Sequence, residues 1–522
     1  MTEVAREAPV AAVSDRARLR WQEAVTLFVV GFGCSFVLSW RPSLWTDEAA
    51  TISAATRTLP QLVAMARNID AVHATYYAFM HGWLLVFPAE ALWLRLPSGV
   101  AVGLTAVLTY TLGLRLTGRR VALAGALVFV VLPRTTWMGM EARSSAFSAL
   151  LAVAATLVLL LWLDPARTCR QRRLCAVAYA LLAGLGIAIN IYLALGLVAH
   201  GISVLLARQV PWRRRFAWLA AGICGVLLAT PVIWNALHQT GQLGGGPFGL
   251  TTWLRNVIVN QWFLGETPTL STGAAATGGP LTALWKIGSV ALALVCWLLV
   301  ALGVLIRRRS PAVLIWCLPW IAVPTLVIGL YSLGVENLYN ARYFAYATPG
   351  LALLIGQGLM ALSRSWQRVA AAIACLVFLA PVYVSQRTLY AKSSTDWSAI
   401  AAFVDTRRGA DQAVYFSPRN PITGPLVGQT ARGVQTAYPH AFEGLRDVTL
   451  LRTPVEDNNL TGTSRVLADS VSQLDGMTAV WVIRRNDYAY AAADDATLLA
   501  AGFVPGQSWD GPLDRVIEFE RR

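Results

Sequence analysis

Ionisable side chains are scarce in this chain, and those that could do chemistry recur at the ends of apolar runs. Asp47 and Glu48 stand side by side in SWRPSLWTDEAATISAATR, residues 39–57, directly after the apolar run AVTLFVVGFGCSFVLSW. Asp70 and His73 lie one turn apart in IDAVHATYYAFMHGW, so both can face one direction on a helix. Glu141 and Arg143 open an apolar run in GMEARSSAFSALLA, and Arg342 with Tyr343 opens another in ENLYNARYFAYATPG. Carboxylates can accept a proton or hold a cation, and fixed guanidiniums can hold an anion such as phosphate. Each group also has a plainer use. The Asp47–Glu48 pair can cap the helix starting near Ala49. Glu141 suits a helix N-terminus for its dipole alone, and Arg342 can snorkel to an interface.

The elements that must position these groups follow from composition. The chain has 522 residues, 56% of them hydrophobic and 14% charged, where a soluble domain has about 25% charged. Continuous apolar runs of about 20 residues, enough to cross a bilayer, recur from Gln22 to Ser385. The pattern predicts an all-α polytopic membrane protein rather than a barrel, whose strands would be short and alternating. Spans are expected at roughly 22–40, 96–114, 121–137, 144–163, 174–190, 191–207, 217–235, 284–305, 311–331, 343–361 and 369–385, about eleven in all. The first run lacks a small-residue cleavage site and reads as a retained span.

Charge sets the orientation. Arginines crowd the short loops, as in Arg115, Arg119 and Arg120, or Arg213, Arg214 and Arg215. Such loops belong on the cytoplasmic side. The net charge of +15 is therefore topology and does not call for a nucleic-acid partner. The N-terminus is expected in the cytoplasm and the C-terminus outside. This parity requires residues 73–94 to remain uncounted, as a juxtamembrane or re-entrant helix within an outer loop, 41–95. Asp47, Glu48, Asp70, His73, Glu141, Arg143 and Arg342 then share the outer side, at the membrane–water boundary.

Two further outer features are expected. In the loop 236–283, Leu250, Trp253, Leu254, Val257, Ile258 and Trp262 have helical spacing, as in an interfacial amphipathic helix or a mobile flap. From 386 to 522 the composition changes: DWSAIAAFVDTRRGADQAVYFS reads helix, turn, strand, TAVWVIRR and DRVIEFER read as strands, and DDATLLAAGF reads as a helix ending at glycine. The expected division is a membrane domain, 1–385, and a small extracytoplasmic α/β domain, 386–522. The seven cysteines all precede the tail and lack metal-type spacing. Lysine occurs twice, Lys286 and Lys392, and reads as a bias toward arginine without mechanistic content.

Taken in order, the motifs resemble the GT-C class of membrane glycosyltransferases, in the bacterial branch related to protein O-mannosyltransferases and lipid A aminoarabinose transferases. That branch has an Asp-Glu pair after the first span, a D-x-x-H-P-P-L-Y-Y segment, R-L-P-S, Q-E-A-R and a late R-Y. Here they stand as Asp47-Glu48, DAVHATYY, RLPS (95–98), MEAR (140–143) and NARYF (340–344). Two departures are Ala74 and Thr75 in place of the prolines, and NIYL (190–193) where the family often carries a histidine.

The resemblance implies inverting transfer of a sugar from a polyprenyl-phosphate donor to an acceptor hydroxyl on the extracytoplasmic face, in cell-envelope glycan or glycolipid synthesis. Mannose is the expected sugar, with arabinose or another as alternatives. It implies Asp47 as the catalytic base. Arg342, Arg143 and Tyr343 would hold the donor phosphate. Glu48, Asp70, His73 and Glu141 would orient Asp47 or complete a divalent-metal site. Partners would be the lipid donor, a glycan, glycolipid or protein acceptor, and the bilayer. A transporter or flippase is the competing class, but it predicts charges in mid-span and repeat symmetry, neither of which the sequence carries. A noncatalytic assembly partner is the third reading.

Overall fold

The structure, a computed structural model, describes residues 19–242, 247, 249–265, 280–306 and 311–522. Among these, eight helices are long and apolar enough to cross a membrane: Ala91–Leu116, Ser145–Leu163, Cys169–Ile189, Trp212–His238, Leu284–Leu305, Ala312–Gly334, Ala341–Ala361 and Ser365–Ser385. Three other expected spans are shorter helices, Trp21–Phe36 (16 residues), Arg119–Val131 (13) and Leu193–Leu206 (14). Eight spans, not eleven, meet the length requirement on that basis.

Local chemistry explains the boundaries. The expected span 121–137 breaks at Leu132, because Pro133 lacks an N–H and pushes the residue before it out of the helical region. A separate short helix, Pro133–Met138, follows. The span expected at 96–114 starts earlier, at Ala91, and takes Arg95 and Pro97 inside the helix. Residues 73–94 do not form one helix: Ala74–Leu84 has 11 residues, well short of a crossing, and the chain turns before Ala91.

The helices split into inner and peripheral sets. In Ala341–Ala361, 83% of the apolar window is buried, against 17% in Trp212–His238 and Ser365–Ser385, whose leucines and valines face outward to lipid. Glycine permits the closest helix contact in the inner set. A Cβ on Gly356 would sit 2.5 Å from the Gly125 nitrogen, so helices Arg119–Val131 and Thr348–Ala361 touch backbone to backbone only because both residues lack one.

After Ser385 the chain builds a different architecture. Eight strands, β1 (Gln412–Phe416), β2 (Leu426–Val427), β3 (Arg446–Asp447), β4 (Leu450–Arg452), β5 (Thr463–Arg465), β6 (Ala479–Arg485), β7 (Phe503–Asp510) and β8 (Asp514–Arg521), form two sheets. The larger has order β3-β1-β6-β8-β7, with β3, β1 and β6 parallel and β8 antiparallel to both neighbours. Its central strands are apolar on consecutive residues because both faces are covered. Ala413, Tyr415, Val480 and Val482 pack with Leu498 of helix Ala491–Ala500. The alternate residues Val414, Phe416, Trp481 and Ile483 pack with helix Trp397–Asp405 and, continuously, with Leu44, Ala49, Ile52 and Tyr76 of the 41–95 segment.

The interfacial helix of the 236–283 loop is only partly as expected. Leu250–Arg255 is α-helical, Asn256–Asn260 is a π-turn and Gln261–Phe263 resumes the α-helix. The π-turn rotates the two ends relative to one another, so Trp253 and Trp262 are buried while Leu250, Leu254 and Ile258 are exposed. The rest of the expected flap falls largely on residues 243–246, 248 and 266–279, outside the described residues.

Candidate active site

Four chain segments meet around Asp47. The carboxylate lies in the first turn of helix Thr46–Ala55, where the helix N-terminus favours negative charge. Arg342 reaches it from the 3-10 turn Ala341–Ala347, 295 residues away, donating from Nη1 to Asp47 Oδ2. Asn340 fixes that turn by accepting the Arg342 backbone N–H at 3.2 Å. Arg143 approaches the other oxygen, with Nη2 3.5 Å from Asp47 Oδ1. Glu141 lies 4.0 Å from Arg342 Nη1.

Arg143 also ties in the third segment. Its Nη1 donates to the Tyr77 hydroxyl at 2.6 Å and stands 4.0 Å from Asp70 Oδ2, while Tyr77 donates to that same oxygen. His73 Nε2 is 3.9 Å from Asp70 Oδ1. Asp70 is held at a left-handed φ of 60°, unusual for a residue with a side chain, and the next N–H donates to Gln239 Oε1 at 2.9 Å. All eight sequence-selected residues therefore gather in one site. The substituted positions have other work: Asn190 donates from Nδ2 to the Tyr343 carbonyl at 2.9 Å, and the Tyr192 ring packs edge-on to Tyr343 at 5.6 Å.

The electrostatics follow from this packing. Burial alone would push the Asp47 carboxyl up, but the Arg143 and Arg342 charges outweigh it and hold it at about 2. His73 is pushed down to about 4, by burial first and the Arg143 charge second, and is neutral at neutral pH. Asp47 is therefore an ionised carboxylate kept so by arginine, at a position still 17% exposed.

Glu48, one residue on, is placed differently. It is fully buried and faces Arg95, whose Nε donates to Oε1 at 2.7 Å and whose Nη2 donates to Oε2. The Ala142 N–H donates to the same Oε1 at 3.0 Å. Arg95 spends its remaining donors on the carbonyls of Ser39, Pro42 (2.8 Å) and Ser43 (3.2 Å). This clamp fastens the 39–43 turn and the 139–144 loop to helix Ala91–Leu116, and so fixes where Asp47 and Arg143 can be. Thr51 and Ser98 add donors to the Ala142 and Glu141 carbonyls, at 3.0 and 2.7 Å. Glu48 thus holds the frame around Asp47 without touching it.

Two site residues escaped the sequence reading. Arg95 lies in the matched RLPS motif, yet an arginine beginning a span looks like an ordinary interfacial residue. Lys392, dismissed with the lysine count, is fully buried with Nζ 3.9 Å from the Trp137 ring and 5.8 Å from the Trp45 ring. Its charge reaches Glu48, where burial works against ionisation and Arg95 and Lys392 favour it. Trp45 also lies 5.5 Å from the Arg342 guanidinium.

The donor set does not suit a divalent metal. Both Asp47 oxygens and both Glu48 oxygens already face guanidiniums, and Arg143 stands between Asp47 and Asp70, where a shared cation would sit. Among the described residues, no three His, Cys, Asp or Glu side chains are grouped to hold a metal ion.

No family model and no curated protein matches the chain. Its likeness to solved structures extends nearly end to end and shows a shared fold. The particular likeness is to ArnT from Cupriavidus metallidurans bound to undecaprenyl phosphate, with a TM-score of 0.56 and 15% identity over 96% of this chain and 98% of that one. The apo form of ArnT gives a TM-score of 0.56 and 14% identity, over 95% and 97%. The chain is a multi-pass membrane protein of this fold with a small sheet domain at its C-terminus.

Proposed function

We propose that the chain is an inverting glycosyltransferase that moves a sugar from a polyprenyl-phosphate donor to an acceptor hydroxyl on the extracytoplasmic side. Residues 1–385 would form the membrane domain and 386–522 an extracytoplasmic domain. The observation that carries the reading is the convergence of Arg143 and Arg342, from two span ends, on the single ionised carboxylate of Asp47. A lipid phosphate travels in the bilayer and its sugar projects into water, so a site using both belongs at a span end. Mannose is the first candidate for the sugar, with arabinose the alternative.

In this reading the acceptor oxygen attacks the anomeric carbon, the bond from that carbon to the phosphate oxygen breaks, and Asp47 takes the acceptor proton. The departing polyprenyl phosphate gains charge that Arg342 and Arg143 stabilise. At a pKa of about 2, Asp47 is a weak base while both guanidiniums hold it. An incoming phosphate competes for those same donors, and drawing either one away raises the basicity of Asp47 as the donor seats. Base strength is thereby tied to occupancy. No step is routed through a metal.

The test is Asp47→Asn, assayed for transfer and separately for donor-lipid binding. General-base loss should lower transfer by about 10²–10⁴-fold, with donor binding retained. Turnover near the wild-type rate would remove Asp47 from the mechanism.

A further inference from the structure

The sheet domain contains a second recess, away from Asp47. A cleft of about 320 Å³ opens where the parallel strands β1 and β6 end, between the segments that follow them. Ligands in open α/β sheets bind at the carboxyl ends of parallel strands, because loops diverge there and leave a crevice. Arg419 and Asn420 come from the β1 side, and Arg485, Asp487, Tyr488 and Tyr490 from the β6 side. The volume lies at the lower end of the range for small-molecule pockets, about 300–1,000 Å³.

The charges in this cleft are matched. Arg485 pairs bidentately with Asp487, at 2.7 and 3.0 Å, and Arg419 faces Asp514 at 3.6 Å. Each guanidinium thus has a carboxylate within 4 Å, Asp487 in the cleft and the buried Asp514 behind its wall, which weakens the pull on a phosphate or carboxylate. Instead, the walls present planar donors and acceptors side by side: guanidinium beside carboxylate, and the Asn420 amide. A hydroxyl is both donor and acceptor, so a polyhydroxylated ligand can satisfy both kinds of group at once. Tyr488 and Tyr490 form an angled pair, ring centroids 5.9 Å apart and planes at 56°, with Tyr490 38% exposed at the rim. The exposed Tyr490 ring offers an apolar face to the C–H side of a sugar, while the Tyr488 hydroxyl is turned into the domain and leaves its ring as the inner wall.

From this arrangement we infer that the cleft is a binding subsite for a neutral saccharide, which holds the glycan acceptor while its terminal hydroxyl is glycosylated at Asp47; the second half of that statement rests on the glycosyl-transfer reading above. Hydrogen bonds connect the cleft to the site. Asp514, which faces Arg419, accepts the Trp397 indole N–H at 2.8 Å, and the Ser398 N–H donates to Ser43 Oγ at 3.1 Å, in the turn that leads to Asp47.

The experiment uses the full chain in detergent, with an α-mannobiose, an α-arabinobiose and inorganic phosphate as probes in saturation-transfer NMR. Wild type should bind at least one disaccharide and not phosphate. Tyr490→Ala and Arg485→Ala, both at exposed or half-exposed positions, should each weaken that binding by about tenfold or more. Asp47→Asn should bind the disaccharide as wild type does. Binding of neither disaccharide, equal binding by the cleft variants, or preference for phosphate would each overturn the inference. Failure of the transfer reading would show separately, as absent turnover by a wild-type protein whose cleft still binds sugar.

Discussion

At two places in this molecule a pair of carboxylates lies close together, and the two pairs are treated in opposite ways. At the membrane boundary, Asp47 and Glu48 are each met by arginine and stay ionised. At the root of the sheet domain, Asp396 receives only backbone N–H groups, from Leu513 and Asp514 at 2.9 Å each, with the Asp514 carboxylate beside it. Burial, then the charge of Asp514, pushes Asp396 up to about 7. A buried acid remains a charge only where a fixed cation accompanies it; hydrogen bonds from neutral donors do not suffice against a second acid. Within the first pair there is a further division. Glu48 has both oxygens engaged in the frame and is fully buried, while Asp47, though met by two arginines, is still 17% exposed.

The largest effect should come from Glu48→Gln. It leaves Arg95 charged in a dry pocket, and breaking a buried ion pair costs about 3–5 kcal/mol. Thermal unfolding in detergent should drop steeply, where Asp47→Asn leaves the folded state largely intact and removes turnover. A Glu48→Gln protein that is stable but inactive would erase the distinction between the neighbours.

Next in size is Arg342. Arg342→Ala should weaken donor binding strongly, and Arg342→Lys should restore part of it, because a lysine supplies charge without the two-pronged fork. Titration with the polyprenyl-phosphate donor measures both. Unchanged affinity in the alanine variant would move the phosphate contact to Arg143 or Lys392.

The remaining effects are in pH dependence, and their signs are opposed. Asp396 has a folded-state pKa near 7, above its ordinary 3.8, so its contribution to stability is full below about 4 and is lost as pH rises through 7. Asp396→Asn should flatten the unfolding profile across that interval. Asp47 is depressed from 3.8 to about 2, so its contribution is present above 3.8 and lost as pH falls toward 2. His73, lowered from 6.5 to about 4, destabilises the fold as pH falls between those values. If Asp396→Asn leaves the profile unchanged, the contrast between the two carboxylate pairs does not hold.

The sequence made the acids and arginines legible because each sits at the end of an apolar run, where composition changes abruptly. The strands and helices of the tail were legible for a similar reason: in TAVWVIRR the five residues 479–483 are all apolar, as expected where both faces are covered. Arg95 and Lys392 were not legible. Their meaning depends on partners 47 residues away for Arg95–Glu48 and on a tryptophan far earlier in the chain for Lys392, and no local pattern encodes either. The π-turn at 256–260 was invisible too, since its apolar spacing is that of an ordinary helix. Hydropathy also reads 121–137 as continuous, where Pro133 ends one helix and starts another.

The Tyr438 hydroxyl accepts the Leu44 N–H at 2.8 Å, and one apolar core runs without a break from Leu44, Ile52 and Tyr76 into Trp397, Phe416 and Trp481. The tail is therefore not an interchangeable module. A chimera that grafts a relative's residues 386–522 onto this membrane part would import half a core and face it with the wrong other half. The unit of exchange is the 41–95 segment together with the tail, and acceptor preference, if the tail sets it, can be transplanted only with the carboxylate that uses it.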